Sequence, residues 1–338
     1  KKMNKVLYII LISLFSLTVI SCAKKSSTSS SSTTTDNTTT TDDTTTSSSG
    51  SGVFVGVGYY GTIVRSTDNG SSFDNVTSPT ANSPTANHLR GVTFANNTFV
   101  AVGESGNIVR STDNGSSFDN VTSPTANRLN EVTFGNNTFM AVGDSGNIVR
   151  STDNGSSWDN VTSPTTNRLY GVGFANNTFV AVGYSGNIVR STDNGSSWDN
   201  ATSGLPASSS YNLYGVGFGN NTFVVTGEDG NIIRSTDNGS TWDNVTSPTA
   251  NIIWGVGFGN NTFVGFGDYG NIIRSTDNGS SWDNATSPTA KHLEEVTFGN
   301  NTFVGVGQSG NILKSTDNGS SWDNATSPTA NYLIGITF

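Results

Sequence analysis

The 338-residue sequence contains one cysteine, two histidines and few charged side chains, and these scarcities exclude several kinds of protein. A single cysteine, Cys22, allows no intramolecular disulfide and no zinc site built from cysteines. Hydrophobic residues account for 33% of the chain and charged residues for 12%, while serine, threonine, asparagine and glycine predominate. This composition favours short strands joined by tight turns and argues against a helical bundle.

Basic residues are scarce beyond the first 25 positions. From residue 51 onward the chain has 11 basic and 22 acidic residues, a net charge of about −11. A protein that binds nucleic acid needs a basic surface to neutralise phosphates, so we predict no nucleic-acid partner. The same charge disfavours docking on anionic lipid headgroups, so we expect any membrane contact to come from an anchor.

The first 22 residues are typical of an export signal. Lys5 precedes an apolar run over residues 6–20, which is too short to span a membrane comfortably. The run ends in Val-Ile-Ser-Cys, which resembles a bacterial lipobox and implies that Cys22 becomes the acylated N-terminus of an exported lipoprotein. We therefore expect a lipid-anchored protein of the cell envelope, at the outer membrane or the cell surface. An uncleaved anchor with an incidental cysteine is the alternative.

Residues 23–52 form a separate segment, which from residue 26 onward is almost wholly serine and threonine with Asp36, Asp42 and Asp43. Such a segment cannot bury enough apolar surface to offset the entropy lost on ordering, so we predict a disordered tether. As a flexible coil it would span on the order of 30 Å.

The remainder of the chain, residues 53–338, is a tandem repeat. The string Ser-Thr-Asp-Asn-Gly-Ser occurs seven times at intervals of 40 to 45 residues, and each copy is followed by a phenylalanine or tryptophan. The aspartates of the seven copies are Asp68, Asp113, Asp153, Asp193, Asp237, Asp277 and Asp317.

Each repeat divides into four apolar runs separated by turn residues, as in residues 129–134, 138–143, 147–151 and 156–161. Four strands per repeat predict the blade of a β-propeller, so the expected fold is all-β with seven blades of four antiparallel strands. The chain enters at the second strand of a repeat and leaves after a first strand. We therefore expect the C-terminal strand to complete the N-terminal blade and close the ring.

The octet at residues 151–158, Ser-Thr-Asp-Asn-Gly-Ser-Ser-Trp, resembles the Asp-box or BNR repeat, Ser-x-Asp-x-Gly-x-x-Trp. Sialidases, sortilin-type receptors and photosystem II assembly-factor propellers carry such repeats, so the resemblance implies a propeller without specifying an activity. The aspartate of such a box accepts backbone N–H bonds in a hairpin, which is a structural role. One carboxylate per turn is too few ligands for calcium, so we predict no metal site and no cofactor.

The seven copies differ from one another on one side only. The Asn-Asn-Thr and Asp-Asn-Gly turns barely vary and should share one face of the propeller, the regular face. The turns between strands two and three, the approaches to strand one and two insertions near residues 83–87 and 205–211 vary, and should share the opposite, variable face. A variable face rich in tyrosine, tryptophan and charge is typical of recognition, although solvent-exposed drift is the alternative. The candidate ligand-binding residues are Tyr59, Tyr60, Arg90, Arg128, Arg168, Tyr170, Tyr184, Tyr214, Trp254, Asp268, Tyr269, Glu294 and Tyr332.

We predict a non-catalytic, monomeric binding or assembly module that holds a protein segment or a glycan on this face. A sialidase-like glycoside hydrolase is the alternative. The resemblance would then demand three arginines on a substrate carboxylate, and Arg90, Arg128 and Arg168 do not recur between repeats and so are the candidates. Glu131, Glu294 or Glu295 could supply the acid. The other arginines of the repeats occupy one equivalent position and are predicted to be scaffold.

Overall fold

The computed structural model describes residues 52–79, 87–205 and 211–338. The predicted signal peptide, Cys22, the tether up to residue 51 and most of both insertions lie outside the described residues and stay predictions. In the described ranges no helix is long and apolar enough to cross a membrane.

Four kinds of strand recur around the molecule. The first strands are β28 (Leu333–Thr337), β4 (Leu89–Ala95), β8 (Leu129–Gly135), β12 (Leu169–Ala175), β16 (Leu213–Gly219), β20 (Ile253–Gly259) and β24 (Leu293–Gly299). The second strands are β1 (Phe54–Gly58), β5 (Thr98–Gly103), β9 (Thr138–Gly143), β13 (Thr178–Gly183), β17 (Thr222–Gly227), β21 (Thr262–Gly267) and β25 (Thr302–Gly307). The third strands are β2 (Ile63–Ser66), β6 (Ile108–Ser111), β10 (Ile148–Ser151), β14 (Ile188–Ser191), β18 (Ile232–Ser235), β22 (Ile272–Ser275) and β26 (Ile312–Ser315). The fourth strands are β3 (Asp74–Val76), β7 (Asp119–Val121), β11 (Asp159–Val161), β15 (Asp199–Ala201), β19 (Asp243–Val245), β23 (Asp283–Ala285) and β27 (Asp323–Asn324).

Short 3₁₀ turns join the second strand of each blade to the third. They are Tyr59–Gly61, Glu104–Gly106, Asp144–Gly146, Tyr184–Gly186, Glu228–Gly230, Asp268–Gly270 and Gln308–Gly310.

The strands form seven four-stranded antiparallel sheets, so the predicted seven-bladed propeller is confirmed. Blade 1 is the sheet β28-β1-β2-β3, and blades 2 to 7 are the six sheets β4–β7 to β24–β27, taken in chain order. Each first strand packs against the first strands of both neighbouring blades, so these strands are innermost and surround a central channel.

The C-terminal strand closes the ring as predicted. In blade 1, Gly56 of β1 pairs with Ile336 of β28 on one side and with Val64 of β2 on the other. The strand β28 also packs between β24 of blade 7 and β4 of blade 2. Closure therefore pairs the edge of β1 that would otherwise be exposed and invite pairing with another chain.

The hydrophobic core lies between adjacent blades. Every residue of the seven second strands is buried, because these strands pack on both faces, as their consecutive apolar residues indicate. Between blades 2 and 3, for example, Val100 and Val102 of β5 pack with Phe139 of β9 and with Trp158. A single blade would expose half of such a cluster, so the blades depend on one another for burial.

The Asp-Asn-Gly turn between strands three and four is held by its aspartate. In blade 3, one carboxylate oxygen of Asp153 accepts the backbone N–H groups of Ser156 and Ser157 at 3.1 and 2.9 Å, and the other accepts the Ser157 hydroxyl at 2.6 Å. These bonds, that from the Ser157 hydroxyl foremost, lower the pKa of Asp153. Gly155 has φ +77°, which only glycine adopts without strain. Because residues 156–158 belong to this turn, the fourth strand begins at Asp159, later than predicted.

Five of the six recurring arginines join one blade to the next, whereas Nε of the sixth, Arg150, has no hydrogen-bond partner among the described residues. Arg110 of β6 donates from Nε to the carbonyl oxygen of Asn154 in blade 3 at 2.8 Å, and the Asn154 amide donates to the hydroxyl of Thr98 at 2.7 Å. The same arginine contact is made by Arg65, Arg190, Arg234 and Arg274. These side chains therefore belong to the scaffold of the regular face.

Candidate binding site at the channel mouth

Each first strand has a β-bulge at its second residue, at the end nearest the variable face. In β12, Leu169 pairs with Gly183 and Gly171 pairs with Val182, so Tyr170 between them has no partner. A bulge re-aims the side chain that it carries, and here all seven bulged side chains line one cavity. They are Arg90, Asn130, Tyr170, Tyr214, Trp254, Glu294 and Ile334.

Two adjoining cavities lie within the ring of first strands. The channel mouth, a cavity of about 180 Å³, is lined by the seven bulged residues with Arg128, Arg168, Glu131 and Glu295. The inner channel, a cavity of about 290 Å³, is lined largely by the later residues of the first strands. Glu131, Tyr214 and Glu295 line both, so a ligand in the mouth meets these side chains at the entrance to the inner channel.

Three aromatic side chains from blades 4 to 6 form a continuous arc in the channel mouth. The ring centroids of Tyr170 and Tyr214 are 4.9 Å apart, and those of Tyr214 and Trp254 are 4.4 Å apart. Two of the three polar groups of the arc are held by residues outside it, since the Tyr214 hydroxyl donates to Glu228 at 2.9 Å and Trp254 Nε1 donates to Asp268 at 2.7 Å. Burial raises the pKa of Tyr214, so this residue stays neutral. The arc is a preorganised, amphipathic contact surface.

Bulged residues pair with the first residue of the 3₁₀ turn in their own blade. Beside the two pairs of the arc, Arg90 contacts Glu104 at 3.3 Å and the Asn130 amide contacts Asp144 at 3.3 Å. Two positions that differ between copies are thus chemically matched within each of these four blades.

The three non-recurring arginines have carboxylate partners. Arg128 and Arg168 both contact Asp144, at 3.1 and 2.8 Å, while Arg90 is paired with Glu104. The Arg168 guanidinium also lies 5.7 Å from the centroid of the Tyr170 ring, within the range of a cation–π contact. The three arginines line the mouth together, but two protein carboxylates already hold them.

Glu294 of blade 7 lines the mouth two blades from Arg90 and three blades from Arg128 and Arg168. Its carboxylate accepts a hydrogen bond from the Tyr332 hydroxyl. Burial raises the pKa of Glu294 to about 7, although the Tyr332 hydrogen bond and the cationic Arg90 lower it. Glu294 therefore titrates near neutral pH.

Tyrosines and histidines surround the mouth as a rim. Tyr59 stacks on His88 with ring centroids 4.1 Å apart, and it lies 5.1 Å from Tyr332. In blade 7, His292 contacts Asp268 at 2.6 Å, and its ring lies 5.2 Å from that of Tyr269.

The three large hydrophobic side chains that are exposed within the described residues all belong to turns of this rim. Tyr60, Tyr184 and Tyr269 are 58%, 50% and 68% exposed. Tyr60 and Tyr269 have φ of 58° and 57°, a left-handed conformation that costs free energy in a residue with a bulky side chain. Strained, exposed aromatic residues at loop tips are typical of contact sites.

The candidate residues divide between the mouth and the rim. Arg90, Arg128, Arg168, Tyr170, Tyr214, Trp254 and Glu294 line the mouth cavity. Tyr59, Tyr60, Tyr184, Asp268, Tyr269 and Tyr332 lie around it without lining it. Asn130, Glu131, Glu295 and Ile334 also line the mouth and were not among the predicted binding residues. Comparison of the seven copies could have indicated the two glutamates as candidates, because the other five copies have glycine at that position.

Within the described ranges no group of three or more histidine, cysteine, aspartate or glutamate side chains could hold a metal ion.

The DUF6242 beta-propeller domain family matches residues 74–215 and 178–291, which together are more than half of the chain. The chain belongs to this family. No curated protein matches the sequence.

The DUF6242 propeller is similar in fold to several solved structures. YCF48 from Cyanidioschyzon merolae superposes with a TM-score of 0.58 at 17% identity, covering 74% of this chain and 95% of that one. A structure of YCF48 bound to D1 peptide has a TM-score of 0.56 at 18% identity and covers 70% and 80%. The computationally designed Ika8 protein has a TM-score of 0.58 at 11% identity and covers 84% and 90%. At these identities the likeness establishes the fold alone.

Proposed function

We propose that this propeller is a non-catalytic binding module whose channel mouth recognises a segment of another protein. The observation that carries the proposal is the convergence of seven bulged side chains, one from each blade, on a single cavity that contains the Tyr170–Tyr214–Trp254 arc. Clustered aromatic anchors with polar groups around them are characteristic of protein-recognition sites. The YCF48 propeller described as bound to D1 peptide supports a peptide ligand by analogy of fold.

A glycan is the second candidate, because aromatic rings also stack on sugars. The arc favours a protein segment, since its neighbouring rings are inclined by 55° and 45° and present no single flat platform. A sialidase-like hydrolase is not favoured. The three arginines that would bind its substrate carboxylate are already paired with Glu104 and Asp144.

We also propose that the protein is held in the cell envelope by lipid on Cys22. The lipobox-like sequence Val-Ile-Ser-Cys supports this anchor. Labelling Cys22 with a radioactive fatty acid in a bacterial host tests the anchor, and an unlabelled chain would remove this part of the proposal.

Binding to an array of short peptides of random sequence tests recognition by the mouth. The full chain should bind a subset of peptides, and Trp254→Ala should abolish this binding while Trp254→Phe retains most of it. Circular dichroism melting shows whether each variant is folded. Asp229→Asn, an exposed change on the same face, is the control. Peptide binding that survives in folded Trp254→Ala would refute recognition at the mouth.

A further inference from the structure

Two glutamates occupy a position in the first strands where glycine is the rule. The third residue is glycine in blades 1, 2, 4, 5 and 6, but Glu131 in blade 3 and Glu295 in blade 7. The ring is tight at this level, since a Cβ on Gly171 would lie 2.0 Å from the carbonyl oxygen of Tyr214. A side chain at this position therefore needs dedicated space.

Glycines in the neighbouring blades provide that space. A Cβ on Gly91 would lie 2.4 Å from Oε1 of Glu131, and a Cβ on Gly255 would lie 2.8 Å from Oε1 of Glu295. Each carboxyl thus lies over a glycine of the preceding blade, and the same arrangement occurs twice. Because the same glutamate-over-glycine arrangement occurs in two blades that are not adjacent, we regard it as a specific feature of the channel entrance.

Only one oxygen of each carboxyl group accepts a hydrogen bond from the described residues. Oε1 of Glu131 accepts the backbone N–H of Val132 at 2.8 Å, and Oε1 of Glu295 accepts that of Val296 at 3.0 Å. The second oxygen of each carboxyl has no hydrogen-bond partner among the described residues, and neither group forms an ion pair with them. Both side chains line the two cavities, so these oxygens are available to a ligand there.

The charges around the pair come from the arginines and glutamates of the mouth and from two carboxylates of the turns. Burial raises the pKa of both carboxyls, and the charge of Glu295 adds to this effect at Glu131, as that of Glu294 does at Glu295. The other titratable groups that line the mouth are Glu294, Tyr170, Tyr214 and three arginines that are paired with Glu104 and Asp144. The three arginines carry one positive charge more than Glu104 and Asp144 neutralise, whereas the three glutamates of the lining carry three negative charges when ionised. The entrance is therefore a half-buried site of net negative charge when its carboxyls are ionised.

From this geometry we infer that the channel entrance receives a basic side chain, lysine or arginine, of the bound protein segment between Glu131 and Glu295. The inference rests on the proposed function and names the chemistry of its ligand. A guanidinium or ammonium group would donate charge-assisted hydrogen bonds to the two unpartnered oxygens. Its stem would pass Tyr214 and Trp254, whose rings favour a cation. The net charge of about −11 from residue 51 onward would attract a basic segment.

A positional-scanning peptide array tests this inference on the full chain. Peptides that bind should require lysine or arginine at one position, and replacing that residue by glutamine should weaken binding by about 30-fold or more, as expected when one partner of a buried charge pair is lost. The double variant Glu131→Gln/Glu295→Gln should lose this preference while still binding through the aromatic arc. The variant Asp229→Asn, which removes a charge from the rim, should keep the preference. Binding by the wild-type chain should also strengthen as pH rises, because a cation binds the ionised carboxyls. The double variant should show a weaker dependence, since only Glu294 of the three glutamates in the mouth remains to titrate.

The outcomes separate the two proposals. If peptides bind and Trp254→Ala abolishes binding, but no basic residue is preferred, the inference is wrong and the proposed function stands. If the basic preference persists in the double variant, the cation binds elsewhere and the inference is again wrong. If no peptide binds the wild-type chain, both fail.

Discussion

Replacing Glu294 by glutamine should stabilise the protein at alkaline pH and leave its stability unchanged in acid. Glu294 has a pKa of about 7 in the folded protein against an ordinary value of 4.5, chiefly because it is buried. The folded state therefore holds this proton more tightly than the unfolded chain does. The stabilising contribution of the protonated carboxyl is complete below about pH 4.5 and is lost as pH rises through about 7.

The magnitude follows from the two pKa values. Each unit of difference corresponds to about 1.4 kcal/mol, so the ionised Glu294 costs the fold roughly 3 kcal/mol above pH 7. Glutamine is neutral at every pH, and its carbonyl oxygen can still accept the hydrogen bond from Tyr332. The free energy of unfolding of Glu294→Gln should therefore exceed that of the wild type by up to about 3 kcal/mol at about pH 8.5 and match it at about pH 4.

Urea unfolding followed by tryptophan fluorescence at about pH 4, 6 and 8.5 measures this difference. Asp229→Asn, which removes an exposed charge from the same face, controls for net charge and should follow the wild type. Parallel stability curves for the wild type and Glu294→Gln across this pH range would refute the argument, as would a less stable variant at alkaline pH.

Three further changes test the scaffold. Asp153→Ala removes the acceptor of the Ser156 and Ser157 N–H groups and should cost about 1–3 kcal/mol in thermal unfolding; an unchanged melting temperature would contradict the role of the turn. Gly171→Ala places a Cβ 2.0 Å from the Tyr214 carbonyl oxygen and should cost about 1–3 kcal/mol through overpacking; calorimetry that shows no loss of stability would refute tight packing of the first strands at this level. Deleting residues 333–338 exposes the edge of β1, so sedimentation should show self-association, and a monomer with wild-type stability would argue against closure by β28.

The repeats allowed the propeller architecture to be predicted from the amino-acid sequence alone. A period of 40 to 45 residues with four apolar runs specifies a blade, and consecutive apolar residues such as Phe139 and Met140 mark a strand buried on both faces. The division into a regular and a variable face followed from the alternation of turns along an up-and-down sheet. These features are local, since each is decided by residues within one repeat or by comparison between repeats.

The composition of the site depended on tertiary structure. The bulge that directs Tyr170 into the mouth is a shift in the pairing register between β12 and β13, and no residue type in β12 predicts that shift. Glu131 and Glu295 stand in blades 3 and 7, and only closure of the ring brings both to one channel entrance. Their burial, and the pairing of the arginines with Glu104 and Asp144, depend on which strands and turns lie close together in the folded protein. The packing of seven sheets around one axis decides this proximity, so it cannot be predicted from a single repeat.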